Sequence, residues 1–379
     1  MNQPRPFPPP SPSAAEAQVN LAQLLLNLRA IRAALKPGTR ICLSVKANAY
    51  GHGLVPVARA ASAAGVEALA VASPGEIRQL REAGIGLPVL FMSSPLAQEI
   101  PELAALDAEV FAGDRGVIEA LAGEGRRQGR PVRVHLKVDT GMARNGCSPE
   151  EAGELGEMIH QNPHLTFAGL CTHLASGSED QNDFLDRQKD LFFQARQEIL
   201  LRGCRFELCH AASSWAILSR PDLHLDMVRP GIMAYGYYPG PELQDRICVV
   251  PALTLKTRVV ALRDIPMGAP VSYGMTWRAP EAGRLATLRI GYGDGYPRSL
   301  SNRGEVVIRG RRCPVAGRVC MDHIMAFLGR EVPAAVGDAA YLFGPGALPT
   351  AWDLAAAAGT IPYEILTGLG PRVARTYPD

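Results

Sequence analysis

The sequence predicts an α/β protein, with an N-terminal (β/α)8 TIM-type barrel followed by an all-β domain. Three observations lead there. From Ala15 to about Tyr238, short apolar or β-branched runs alternate with stretches of helical periodicity, the pattern of a parallel sheet. That stretch is close to the roughly 250 residues a closed eight-stranded barrel needs. After Pro241 the strand-like runs follow one another with Gly, Pro, Asp and Asn between them.

In chain order the candidate strands are Ala17 to Leu21, Ile41 to Val45, Ala68 to Ala72, Val89 to Met92, Glu109 to Phe111, Val132 to Val138, Phe167 to His173, Phe206 to Cys209 and Met227 to Arg229. This is one more than a barrel uses, so the first is expected to belong elsewhere. Between them Leu24, Leu28, Ile31 and Leu35 share a helix face, and Phe184 to Leu201 is a long amphipathic run. Ser73-Pro74-Gly75-Glu76 and Ser148-Pro149-Glu150-Glu151 have the capping-box spacing with proline at the first helical position. A doubly wound open sheet is the alternative, but no G-x-G-x-x-G follows a first strand, and Gly51-His52-Gly53 lacks the third glycine. In the second part Leu253 to Leu262, Ala286 to Ile290, Glu305 to Ile308, Pro314 to Ala316 and Ile324 to Leu328 read as strands, and Ala351 to Ala358 as the one helix. The expected division is a Pro-rich disordered tail over residues 1–14, a barrel over 15–240 and a β domain over 241–379, with the boundary near Pro239 to Asp245.

A net charge of +2 with Lys and Arg spread along the chain leaves no electrostatic footprint for nucleic acid or an anionic membrane. Small molecules are the expected partners. The 8 cysteines form no C-x-x-C pair and lie mostly in apolar runs, which reads as a reducing compartment. No segment has the secretory or membrane-spanning pattern, so a soluble, cytoplasmic location is expected.

In a parallel barrel the reacting groups come from the C-terminal ends of the strands. Those positions supply Lys46, the run Lys137 to Arg144, His173, the run His210 to Ser214, and Arg229-Pro230-Gly231-Ile232. A lysine at the mouth of a barrel can lose part of its hydration, which lowers its pKa and suits its amine to form a Schiff base. With arginine, histidine, hydroxyls and a glycine turn on the same rim, the set fits an anionic, phosphate-bearing aldehyde. Each member also has a structural reading. Lys46 could snorkel, His173 could be a core histidine, Ser213 and Ser214 could cap a helix, and Arg229 could serve an ion pair.

The run Val45-Lys46-Ala47-Asn48-Ala49-Tyr50-Gly51-His52-Gly53 resembles the cofactor-lysine signature of the alanine racemases, enzymes that use pyridoxal 5'-phosphate (PLP). The resemblance extends from Ala15 to Tyr377. It recurs at Lys137 to Arg144, Thr172-His173, Val228 to Ile232, Val271-Ser272-Tyr273-Gly274, Gly291 to Gly295 and Gly317 to Asp322. It implies that Lys46 anchors PLP and acts as one catalytic base, with Tyr273 of a second subunit as the other. Tyr50, Ser214, Gly231 and Ile232 would hold the phosphate, Arg229 would face the pyridine nitrogen, and Arg144 the phenolic oxygen. Arg144 and the Met321 main chain would bind the substrate, and His173 would hydrogen-bond the tyrosine. Tyr292, Cys320 and Asp322 would support the site, and Lys137 is expected to be carbamylated, because a second cation close to Arg144 would otherwise be repelled. The resemblance thus implies a homodimer with shared active sites that interconverts L- and D-alanine for peptidoglycan. It implies no metal.

Three positions depart from the family pattern. Ser213 stands where asparagine is common, His323 where glutamine is usual, and Pro371 where several members place a tyrosine that donates to the phosphate. Proline offers no such donor. A broad-specificity or serine racemase of the same fold is therefore the alternative. A non-catalytic PLP carrier is the reading from another class, although such proteins lack a β domain. A PLP decarboxylase shares the two-domain plan but not Val271 to Gly274 as base.

Overall fold

The computed structural model describes residues 14–175 and 182–378. The Pro-rich tail expected over residues 1–14 lies almost wholly outside them. Contacts divide the chain into two compact units, one of residues 21–250 and one of residues 251–379 together with the N-terminal residues up to 20.

The first unit is a closed parallel barrel of β2 (Arg40–Ser44), β3 (Ala68–Val71), β4 (Val89–Phe91), β5 (Ala108–Ala112), β6 (Val132–Lys137), β7 (Leu165–Cys171), β8 (Leu208–Ser213) and β9 (Met227–Arg229). Closure comes from β2 on β9, with Arg40 opposite Met227 and Ile41 opposite Val228. Cys42, Ala68, Ala70, Leu90, Phe111, Cys171, Leu208 and Met227 pack together as buried barrel core. These strands are buried on both faces, which is why they read as continuous apolar runs. The helices between them follow their local signals. Leu24, Leu28 and Ile31 are buried on the helix Leu21–Ala34. Ser73 caps Pro74–Glu82 by accepting from the Glu76 amide. At Ser148 the reciprocal bonds form, Glu151 accepting from the Ser148 amide and Ser148 from the Glu151 amide. They close a turn ahead of the helix, which runs Ala152–Gln161 with Glu151 at its N-cap, so Pro149 is not its first residue.

Residues 241–250, expected to open the β domain, pack with the barrel instead. The Asn27 side chain donates to the carbonyls of Ala234 and Val250 and accepts from the Val250 amide, and the Tyr238 hydroxyl donates to Ile247.

β1 (Glu16–Val19) is the strand the barrel does not use. It lies in the second unit, antiparallel to β10 (Leu253–Ile265) and parallel to β18 (Ala374–Thr376). The same unit contains β11 (Pro270–Val271), β12 (Trp277–Arg278), β13 (Gly283–Leu288), β14 (Glu305–Ile308), β15 (Arg311–Pro314), β16 (Ile324–Gly329) and β17 (Ala339–Phe343). The sheet order is β15-β14-β17-β10-β1-β18, with β13 joining β10 to β16. Irregularities after Leu255 and Val259 let β10 pair with β17 along one half and β13 along the other. The single-helix expectation is corrected here, because Pro362–Thr367 forms a second helix. It is too short for periodicity to reveal, and it rests on Pro362 in its first turn and on buried Ile365 and Leu366.

Candidate active site

β2 delivers Lys46 to the rim, and the backbone then turns the wrong way for L-residues. Ala47, Asn48, Ala49 and Tyr50 all have φ between 52° and 54°. Such a left-handed turn costs about 1–2 kcal/mol per residue, so its surroundings must hold it. The Tyr235 hydroxyl donates to the Ser44 carbonyl at 2.8 Å, and the Tyr235 ring stacks on Tyr50 with centroids 4.8 Å apart. On the far side the Asn48 side chain accepts the Leu54 amide at 2.8 Å. The turn brings the Tyr50 hydroxyl back beside Ser44 Oγ, 3.4 Å away. A Cβ on Gly231 would lie 2.5 Å from that hydroxyl, so glycine is the residue this approach allows. Burial holds the Tyr50 phenol above its ordinary pKa, which keeps it protonated.

Ser214 completes a small polar cradle. Its Oγ accepts the Gly231 amide at 2.9 Å and retains its own proton for another acceptor. Neither Ser213 nor Ser214 serves as a side-chain cap of Ser214–Ser219. Ile232 opens the short 3-10 turn that follows.

Arg229 lies at the centre of the barrel mouth and is fully buried among acceptors. It donates to His210 Nδ1 (2.6 Å), the Thr172 carbonyl (2.8 Å), the Ala211 carbonyl (3.0 Å) and His173 Nδ1 (3.3 Å). A guanidinium only donates, so both imidazoles must accept at Nδ1. His210 therefore carries its proton on Nε2 and donates it to His135 Nδ1 at 2.9 Å, and His135 donates from Nε2 to Glu109 at 2.8 Å. Burial, then the Arg229 charge, holds His210 well below its usual pKa and keeps it neutral. Burial alone would raise the Glu109 carboxyl, but hydrogen bonds from His135 and Arg133 bring it down to about 2. A directed chain thus runs from Arg229 through two imidazoles to an anion. Glu109 and His135 were absent from the sequence-based set. His210 was expected just beyond a strand end, but β8 continues to Ser213 and makes it a mid-strand interior residue. The available signal was a pair of polar residues, Glu109 and His135, inside runs that are otherwise buried.

The other cations collect around the same mouth. Burial first, then Arg144 and Arg229, lower the Lys46 pKa, with Glu76 opposing. Lys137 is 3% exposed, and burial lowers its pKa too. Its amine donates to the Asn145 carbonyl at 2.6 Å. Arg144 is fixed through its backbone, because the Asp139 carboxylate accepts the amides of Gly141, Ala143 and Arg144. Burial, followed by Arg229, Arg144, Lys137 and Lys46, drives His173 down to about 3, so this imidazole is neutral. Four cations act on one histidine, so the sequence-predicted barrel residues do converge. Such a cluster suits an anionic, ring-bearing group: an amine to bond its carbonyl, a cradle of Tyr50, Ser214 and Gly231 for a phosphate, and a buried guanidinium as donor.

The second unit gathers the remaining residues. Tyr273 is 72% exposed on a turn, and Met321 is 52% exposed. Tyr292 donates its amide to the Cys320 carbonyl, and Gly293 to the Met321 carbonyl. Gly291 lies so flat on this strip that a Cβ would come within 2.3 Å of both carbonyl oxygens. Arg372 ties Asp322 to Asp294 at 2.7 and 2.9 Å. Of the departures, Pro371 is exposed in a turn, and the His323 carbonyl accepts the Cys320 amide.

Family models of the alanine racemase N-terminal and C-terminal domains match residues 19–239 and 252–377. The chain belongs to the alanine racemase family. An alanine racemase of Symbiobacterium thermophilum is 43% identical over 365 residues, covering 95% of this chain and 96% of that protein. The crystal structure of the alanine racemase of Streptomyces lavendulae has a TM-score of 0.92 and 35% identity, covering 98% of both chains. That of Bacillus anthracis, with bound L-Ala-P, has a TM-score of 0.91 and 30% identity, covering 98% of this chain and 96% of that one. Members of the alanine racemase family are isomerases, and the eight-stranded barrel with an all-β unit is their architecture. Among the described residues no helix is long and apolar enough to cross a membrane.

Proposed function

We propose that this chain interconverts L- and D-alanine with PLP held at Lys46, as a cytoplasmic homodimer that supplies D-alanine for peptidoglycan. The observation that carries the reading is the half-buried Lys46 amine, its pKa lowered by burial, at the start of the left-handed turn that brings Tyr50 against Gly231 and so to Ser214. PLP, when bound, supplies an electron sink that acidifies the Cα–H of the amino acid joined to it. Lys46 anchors it and serves as base on one face of Cα. Racemisation needs a second base on the opposite face, a role assigned to Tyr273 from a second copy of the chain. The exposure of Tyr273, Met275 and Met321 supports that sharing.

Tyr50, Ser214 and the amides of Gly231 and Ile232 would hold the phosphate. Arg229 would donate to the pyridine nitrogen of bound PLP and, being a permanent cation, would leave that nitrogen without a proton. The ring would then be a weaker electron sink, which would favour return of the proton over other outcomes. Arg144 would bind the phenolic oxygen and, with the Met321 main chain, the substrate carboxylate. His173, with Nδ1 turned to Arg229, has its Nε2 proton for the tyrosine oxygen. Because His173 is neutral, the positive charge that favours a phenolate at Tyr273 comes from arginine. Tyr292, Cys320 and Asp322 support the strip that carries Met321. Lys137 is assigned a carbamate: its amine, in the unprotonated fraction that a lowered pKa enlarges, would add to carbon dioxide and release one proton, leaving an anion able to pair with Arg144.

A polarimetric assay on L-alanine and L-serine, with and without added PLP, tests the reading. Alanine turnover that depends on PLP is expected. Faster turnover of serine would favour the broad-specificity alternative, for which the missing phenol at Pro371 is the supporting observation.

A further inference from the structure

We propose that Ser272 and Asn302 are positioning residues that lock the Tyr273 turn onto residues 317–321, so that the tyrosine and the Met321 main chain keep one fixed geometry. The inference rests on Tyr273 acting as a base.

Ser272 has φ 63° and ψ −176°, a region occupied almost exclusively by glycine. A serine stays there only if its neighbours hold it. Its Oγ donates to the Arg318 carbonyl at 2.7 Å. Its own carbonyl accepts the Met275 amide at 3.3 Å, closing the turn. Gly317 lies directly against it, where a Cβ would come within 2.6 Å of both Ser272 Cβ and the Val271 carbonyl oxygen. The far end of the turn is tied as well. Thr276 Oγ1 accepts from Asn302 Nδ2 at 3.1 Å, while Asn302 Oδ1 accepts the Gly317 amide at 2.7 Å. Asn302 is itself left-handed, with φ 61°. Beneath, Val271, Leu285, Ala316 and Phe327 form a buried cluster with Trp277 against it.

An exposed tyrosine is thus carried on a turn fastened at both ends to the same loop. Glycine at 272 would fit the backbone without strain, so the serine serves its hydroxyl. That hydroxyl joins the turn that bears the base to the segment whose main chain receives the carboxylate. A base that must meet Cα at a defined distance gains from this, since misplacement by about 1 Å can cost on the order of 100-fold in rate.

The test uses the full-length enzyme with Ser272→Ala, Ser272→Gly and Thr276→Val, the last an exposed change of similar shape that removes only the acceptor of the Asn302 side chain. In the Ser272 variants kcat falls about 10-fold. The α-deuterium isotope effect rises from the enantiomer whose proton Tyr273 removes and falls from the other, because the Tyr273 step alone slows. Thr276→Val shifts both isotope effects in the same directions with a smaller loss of rate. Amide hydrogen exchange over residues 272–276 speeds up in PLP-free protein. Wild-type rates and isotope effects in Ser272→Gly, or unchanged exchange in the Ser272 variants, overturn the proposal. Tyr273→Phe separates the two readings, since near-normal racemisation there overturns the base assignment while the exchange measurement still decides the locking.

Discussion

Arg229 Nη1 lies 2.6 Å from Nδ1 of His210, and since the guanidinium can only donate, this one contact sets the direction of every hydrogen bond on to Glu109. The buried cation has acceptors instead of a carboxylate at its side, and its counter-charge sits two imidazoles away. His210→Leu therefore leaves a charged donor without its acceptor in the barrel. A loss of about 2–3 kcal/mol is expected by urea denaturation.

Acid sensitivity follows from the other end of the chain. The Glu109 carboxyl titrates near 4.5 when unfolded and at about 2 when folded. A depressed carboxyl stabilises the fold above the unfolded value, and that stability is lost as pH falls through the folded one. Wild-type stability should decline between pH 4.5 and 2, and Glu109→Gln should flatten this limb. Denaturation midpoints measured across that window decide it.

The Lys46 and Tyr273 assignments separate by colour. Lys46→Ala is expected to lose the yellow, borohydride-reducible attachment of PLP. Tyr273→Phe should keep the colour and lose racemisation by about 100-fold or more. A stably reducible Lys46→Ala protein, or a fast Tyr273→Phe enzyme, contradicts the assignment concerned.

For Lys137 the measurement is native mass or ¹³C NMR after incubation with labelled bicarbonate. One bound carbon dioxide per chain is expected, absent in Lys137→Ala. An unmodified amine under saturating bicarbonate contradicts the carbamate.

Gly231→Ala should weaken PLP binding about 10-fold and destabilise the protein by about 1–3 kcal/mol, since the new methyl meets the Tyr50 hydroxyl. Tyr50→Phe in the same chain should recover stability without recovering affinity. Cofactor titration and thermal melting read the two effects separately.

Much of this was legible before any coordinates. Lys46, Arg229 and Gly231 lie at strand ends, where alternation of apolar runs marks both the strand and its exit. The surplus first strand was legible as surplus, and its pairing with β10 follows from a single long-range register that no local pattern carries. The His210 relay was hidden because the Phe206 to Cys209 run stopped the strand too early. Pro362–Thr367 was hidden by its length. The strain at Ser272 had no sequence signal at all, since the residue type there contradicts the backbone it adopts.

The left-handed turn after Lys46 has a consequence for assembly. Four consecutive L-residues do not choose that conformation on their own, and the hydroxyl that braces it belongs to Tyr235, 191 positions along the chain from Ser44. The brace on the turn that follows Lys46 is therefore supplied from beyond the last barrel strand, β9 (Met227–Arg229). If PLP is held at Lys46 as proposed, its yellow colour during refolding is expected to develop only once the ring of strands has closed.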